Sequence, residues 1–317
     1  MVRLFGLLDS AKALLRARPP KFAALQGGPQ PFRADAAAPS SETSGSTWEE
    51  SQPDYGAAIT PPPVRSIGGW SGEPGNEDEE RVKGSASYLS ILDRLHGELL
   101  PAQYLEIGVR HGTSLALSRG PATGVDPLPE INRELPATTR VVALTSDDFF
   151  AQSYDAQPDF CFIDRLHWFE FALRDFINVE QRAAPGAAVV FDDIFPNHPA
   201  QAERQRRTQV WTGDVWRLVG ILRRYRPDLF LLPLDAAPAG LLLVAGLNPA
   251  NRVLHDNYQS IVHATLDGPE PPGSVLGRHD AVDPAGEHFS RVLEALGSAR
   301  LAGLAPQEIS ALLASVA

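Results

Sequence analysis

The chain has 317 residues, with 28 Lys+Arg against 39 Asp+Glu and a single cysteine. At about 100–200 residues per domain this length buries a sizeable core unaided, and the lone Cys161 excludes an intramolecular disulfide framework and any multi-cysteine zinc or iron–sulfur site. A net charge of -11 weighs against nucleic-acid binding. The apolar runs fall short of the roughly 18 residues that span a bilayer, and one unpaired cysteine fits a reducing, cytoplasmic compartment.

Residues 1–20 place Leu4, Leu7, Leu8, Ala11, Leu14 and Leu15 at helical spacing, which predicts a short amphipathic helix that docks on something. Asp9 interrupts the apolar run that a secretory signal would need. Residues 21–84 follow as an acidic linker rich in Pro, Gly and Ser. Within residues 26–80 lie eight of the 28 prolines and ten acidic residues against two basic ones, a local charge of -8. Such a stretch cannot repay its ordering entropy by burial and is predicted to be disordered.

From residue 85 the pattern changes. Apolar runs predicted as strands fall at 104–108, 123–125, 140–144, 160–163, 187–191, 229–234 and 240–246, and helical patterns at 87–100, 112–119, 168–181 and 214–225. Alternation of this kind implies an α/β fold, a doubly wound and mostly parallel sheet of seven strands over residues 85–250. Residues 251–317 read as a peripheral C-terminal extension, Pro/Gly-rich over 267–286 and closed by two short helices at 289–296 and 306–313.

In an open parallel sheet, ligands bind beyond the carboxyl ends of the strands, so the informative residues are those that follow each apolar run. The first run ends Glu106-Ile107-Gly108-Val109-Arg110-His111-Gly112-Thr113-Ser114. Gly108 permits close backbone approach, and Gly112 is placed to open a helix whose free N–H groups face a polar ligand. The Gly-x-x-x-Gly spacing departs from the Gly-x-Gly-x-x-Gly of dinucleotide sites, which argues against a nicotinamide-linked oxidoreductase. The second run ends Gly124-Val125-Asp126-Pro127, where a carboxylate either accepts from ribose hydroxyls or makes an ordinary turn.

The fourth and fifth runs end in Asp164-Arg165-Leu166-His167 and in Asp192-Asp193. Neighbouring strands lie about 4.8 Å apart, so Asp164, Asp192 and Asp193 are set to converge as hard oxygen ligands for Mg²⁺ or a similar cation; the competing reading is that Asp164 and Asp193 cap the segments they precede. His167 beside such a cation would take a proton from an acceptor hydroxyl, against the simpler reading of a surface or cap residue.

These residues resemble the class I S-adenosylmethionine-dependent methyltransferases, and among them metal-dependent O-methyltransferases such as catechol O-methyltransferase and the macrocin and mycinamicin sugar O-methyltransferases. The resemblance covers residues 88–247. It implies that the turn with Glu106, Gly108, Gly112 and Ser114 holds the methionine part of the cofactor, that Asp126 meets the ribose, and that Ser146 and Asp147 stand near adenine. It further implies that Asp164, Asp192 and Asp193 hold Mg²⁺ and that His167 is the catalytic base.

One departure is Arg165, at a position where related sequences usually have Gly; it either clamps an acidic substrate or obstructs the site. Loop 194–213 has the length of a substrate lid, and Glu203-Arg204-Gln205-Arg206-Arg207 within it either attracts an anionic or sugar substrate or forms a solvated charged face. The expected activity is methyl transfer to a hydroxyl of a small molecule or glycan, with homo-oligomerisation left open. The alternative is a catalytically silent cofactor-binding or protein-interaction module.

Overall fold

The computed structural model of the chain describes residue 72, residues 74–152 and residues 156–317. The helix expected over 1–20 and most of the acidic stretch lie outside the described residues. Seven strands form one sheet: β1 (Tyr104–Ile107), β2 (Ala122–Val125), β3 (Thr139–Val142), β4 (Phe160–Ile163), β5 (Ala188–Phe191), β6 (Phe230–Leu234) and β7 (Leu241–Ala245). Their order is β3-β2-β1-β4-β5-β7-β6, and β7 alone runs antiparallel to its neighbours. This is the doubly wound sheet that the alternating pattern implies, with the order reversing between β1 and β4.

The eight helices of the described residues are α1 (Tyr88–Leu99), α2 (Ser146–Ala151), α3 (Phe169–Arg182), α4 (Arg217–Tyr225), α5 (Val253–Leu266), α6 (Gly273–Leu276), α7 (Glu287–Leu301) and α8 (Pro306–Val316). The period of two along each strand sorts the core into two faces. Leu105, Ile107, Cys161, Ile163, Val189, Phe191, Leu242 and Val244 face one way, into a cluster completed by Phe169, Leu173 and Phe176 of α3, Leu218 and Leu222 of α4, and Tyr258 and Ile261 of α5. Tyr104, Phe160, Phe162, Val190, Leu241 and Leu243 face the other way, against Leu92 and Leu95 of α1, Phe289, Val292 and Leu296 of α7, and Ile309 and Leu313 of α8.

Two expectations are corrected here. The C-terminal extension is not peripheral: α7 and α8 complete the layer that α1 begins, because a sheet apolar on both faces needs helices on both. The pattern at 112–119 forms only a short 3₁₀ turn, Leu115–Leu117. Gly112 sits at φ +75°, outside the helical region, and the chain must reach β2 within a few residues. With no α-helix there, Gly112 opens no helix N-terminus towards a ligand.

Register aligns the strand ends. Ile107 pairs with both Val125 and Ile163, and Ile163 pairs with Phe191. The residues that follow, Gly108, Asp126, Asp164 and Asp192, therefore leave the sheet side by side at one edge.

Candidate active site

Gly108 is the hinge of this edge. Its φ of +90° suits glycine, and a Cβ there would lie 1.8 Å from the Asp164 carbonyl oxygen, so the turn after β1 presses directly on the turn after β4. Below it Glu106 is fully buried, accepting from the Tyr104 hydroxyl (2.7 Å) and the Ser114 hydroxyl (2.7 Å). Burial pushes its carboxyl up to about 8, against the opposing effect of those two donors. Glu106 and Ser114 are thus struts beneath the turn. Asp126 organises the turn from the side: Oδ2 accepts from the N–H groups of Val109 (3.0 Å) and Arg110 (2.9 Å), and Oδ1 from Leu128 (2.8 Å). A carboxylate has about four lone-pair sites, so one remains on Oδ1 for a hydroxyl donor.

Beyond β4 and β5 the chain brings Asp164, His167 and Asp193 together. One ligand atom from each lies within 4.8 Å of the others, and this is the one such group found among the described residues. His167 Nδ1 is 2.8 Å from Asp193 Oδ2, and Nε2 is 3.8 Å from Asp164 Oδ1. Leu166, His167 and Asp193 all have positive φ (57°, 48° and 65°), so strained backbone turns aim these side chains. Burial disfavours the His167 imidazolium, but Asp193 and Asp164 outweigh it and push the ring up to about 9. Burial and Asp193 raise Asp164 to about 6, and burial with Asp193 and Asp164 raises Asp192 as well. Asp192 stands beside the group, its Oδ1 accepting the Asp193 N–H (2.8 Å).

The capping alternative fails for Asp164. The first amide of α3, Phe169 N–H, is taken by Asp214 Oδ1 (3.0 Å). Asp214 is buried, and Arg204 reaches both it (2.7 Å) and Glu170. Arg204 therefore belongs neither to a substrate-attracting patch nor to a solvated face, and Arg207 pairs with Glu203 (2.5 Å).

Ser146, Asp147 and Arg165 turn away from the acidic group. The Arg165 guanidinium donates to the Ser146 hydroxyl, which in turn donates to Asp175 of α3, and Asp147 pairs with Arg174 (2.5 Å). The Arg165 guanidinium is thus engaged with Ser146 and, through it, with α3.

Sequence reasoning missed two neighbours. The Trp211 indole lies flat on the His167 ring, with centroids 4.8 Å apart and planes 9° apart. Tyr88, the first residue of α1, is close enough that Asp164 and Asp192 add to the burial that raises its phenol. An aromatic in the lid loop was the available signal for Trp211; nothing in the local pattern marks Tyr88.

Residues 105–194 match a family model described as a methyltransferase domain. No curated protein matches the chain. Among solved structures, an O-methyltransferase from Bacillus cereus in complex with SAH is 16% identical, covering 49% of this chain and 79% of its own, with a TM-score of 0.37. The SAH-bound Podospora anserina methyltransferase PaMTH1 is 12% identical over 49% of this chain and 76% of its own, at 0.39. The O-methyltransferase TomG from Streptomyces achromogenes, in complex with SAM, is 17% identical over 49% and 78%, at 0.36. Likeness at this level assigns no activity.

Proposed function

We propose that this chain, which carries a class I methyltransferase domain of the S-adenosylmethionine-dependent kind, moves a methyl group from that cofactor to a hydroxyl oxygen of a small molecule or glycan. The observation that carries the reading is the contact between Gly108 and Asp164. It sets a turn fit for a cofactor against a group of acids and a histidine fit for an acceptor hydroxyl.

In this reading the backbone at Gly108 admits the cofactor, and the free lone pair of Asp126 takes a ribose hydroxyl. His167 removes the acceptor proton through Nε2, while Asp193 at Nδ1 orients the ring and stabilises the imidazolium that forms. The chain's contribution to rate is chiefly to hold the nucleophile in line at near-attack distance and to exclude water with loop 194–213.

The acidic group also suits a divalent cation. Buried carboxylates this close raise one another, and hard oxygens are what Mg²⁺ prefers. Asp164 and Asp193 would hold it, with Asp192 adjacent. A bound cation would lend Lewis acidity to the acceptor oxygen. The fit also relieves a difficulty, since an imidazole held at about 9 is protonated at neutral pH and a cation between the acids would lower it.

The test is transfer of labelled methyl from S-adenosylmethionine to 3,4-dihydroxybenzoate and to a panel of free sugars, with Mg²⁺ and with EDTA. Transfer that needs Mg²⁺ and is abolished in Asp193→Asn and Asp164→Asn supports the reading. Full activity in EDTA removes the cation, and no transfer to any hydroxyl removes the acceptor class.

A further inference from the structure

The acidic stretch does not end as a solvated linker. Glu80 Oε1 accepts from the N–H groups of Gly75 and Gln209, each 2.8 Å, and Oε2 from that of Val210 (2.9 Å). Beside it the fully buried Gln201 donates from Nε2 to the carbonyls of Glu79 (2.7 Å) and Arg81 (2.9 Å). Burial would raise the Glu80 carboxyl, yet the amides of Val210, Gln209 and Gly75 and the charge of Arg206 hold it below the usual range. The carboxylate is thus ionised at neutral pH and clamps two consecutive amides of the lid loop.

The next residue is Trp211. Its Nε1 donates to the Glu203 carbonyl (2.6 Å), the Arg206 guanidinium lies 5.7 Å from its ring centroid, and its ring covers His167. His167 is fixed at its backbone, where its carbonyl accepts from Asp214 N–H (3.1 Å) and Gly213 packs against the same oxygen. Against the ring lie Asp193 at Nδ1, Asp164 near Nε2, the Trp211 backbone and, on a face, the Trp211 indole, so two of the groups that direct it belong to Trp211.

We propose that Glu80 is a positioning residue for the site: it fixes the Gln209–Val210 backbone so that Trp211 lies flat on His167 and keeps the imidazole directed at Asp193. A segment about ninety residues earlier in the chain thereby sets the geometry of the candidate base. The packing stands by itself; only its kinetic consequence rests on the methyl-transfer reading.

The experiment is proton NMR on the full-length chain with labelled His and Trp. The parent should show cross-peaks between the Trp211 and His167 rings, identified by their loss in Trp211→Leu. In Glu80→Ala these cross-peaks should fall below half of their parent intensity, while the melting temperature stays within a few degrees. The kcat for methyl transfer should then drop on the order of 10- to 100-fold, the cost of a misplaced reacting group, with KM for S-adenosylmethionine unchanged. Glu80→Ala with parent-strength cross-peaks overturns the proposal. Should Glu80→Ala fail to fold, Glu80→Gln, which keeps the carbonyl acceptor for Gln209 and loses that for Val210, is read by the same criterion. Weakened cross-peaks in a chain whose parent transfers no methyl group uphold the positioning role and overturn the activity instead.

Discussion

His167 lies between two carboxylates and under an indole, and each neighbour has a measurable consequence. With its ring pushed up to about 9, the imidazolium dominates at neutral pH and has no lone pair for a proton. Without a divalent cation the His167 ring, followed by proton NMR, should therefore titrate at about 9, and Mg²⁺ should lower that midpoint; a ring already neutral at pH 7 in the cation-free chain contradicts this account of the base. His167→Ala should cost on the order of 10²–10⁴-fold in kcat, the usual range for a general base. Asp126→Ala should weaken S-adenosylhomocysteine binding markedly in calorimetry, because it removes the acceptor for two amides of the cofactor turn, Val109 and Arg110, and for that of Leu128 in its own turn. The acids at the strand ends were legible in the sequence, since a residue that follows an apolar run must leave the sheet at its edge. The directions of Ser146, Asp147 and Arg165 were not. Their partners Arg174 and Asp175 lie on α3, and spacing along the chain carries no sign of which way a side chain after a strand turns.

Elements place these residues, and two of them are strained or unsatisfied in ways that show. Gly108→Ala must move the turn after β1 off the Asp164 carbonyl, so it should lower stability in urea unfolding and weaken cofactor binding together. On α1, His96 is fully buried against Tyr104 and Phe160, and neither ring nitrogen has a hydrogen-bond partner. Burial, helped by Arg119, pulls it down from 6.5 to about 4. The unfolded chain therefore binds the extra proton between these values. The folded state keeps its full stability above about pH 6.5 and loses roughly 2–3 kcal/mol as pH falls to about 4, at about 1.4 kcal/mol per unit. Urea melts at neutral pH and near pH 4 should show this loss, and His96→Leu should shrink it. The strands and α1, α3 and α4 followed from their periods. Helix α5 is absent from the expected elements although its buried residues Leu254, Tyr258, Ile261 and Val262 sit at helical spacing, with the polar Asp256, Asn257, Gln259 and Ser260 between them.

At the scale of the whole molecule, the sheet is a slab that needs cover on both faces. The sequence showed the slab through its alternating runs but not which helices cover it, because two amphipathic helices after a Pro/Gly-rich stretch look alike whether they dock or dangle. Phe289, Val292, Leu293, Leu296, Ile309 and Leu313 answer this by their burial. At about 1.5–3 kcal/mol each they contribute on the order of 10 kcal/mol, comparable to the whole stability of a typical domain. A chain ending at residue 286 should therefore fail to give a cooperative thermal transition, and a sharp transition near that of the parent would return α7 and α8 to the periphery. No helix among the described residues is long and apolar enough to cross a membrane. The central claim is that the edge lined by Gly108, Asp126 and Asp164 receives an S-adenosyl cofactor, and calorimetric titration of the full-length chain with S-adenosylhomocysteine, with NADH as control, tests it most directly. The account predicts micromolar binding of S-adenosylhomocysteine alone, reduced in Asp126→Ala; no heat from it at millimolar concentration, or equal binding of NADH, would contradict it.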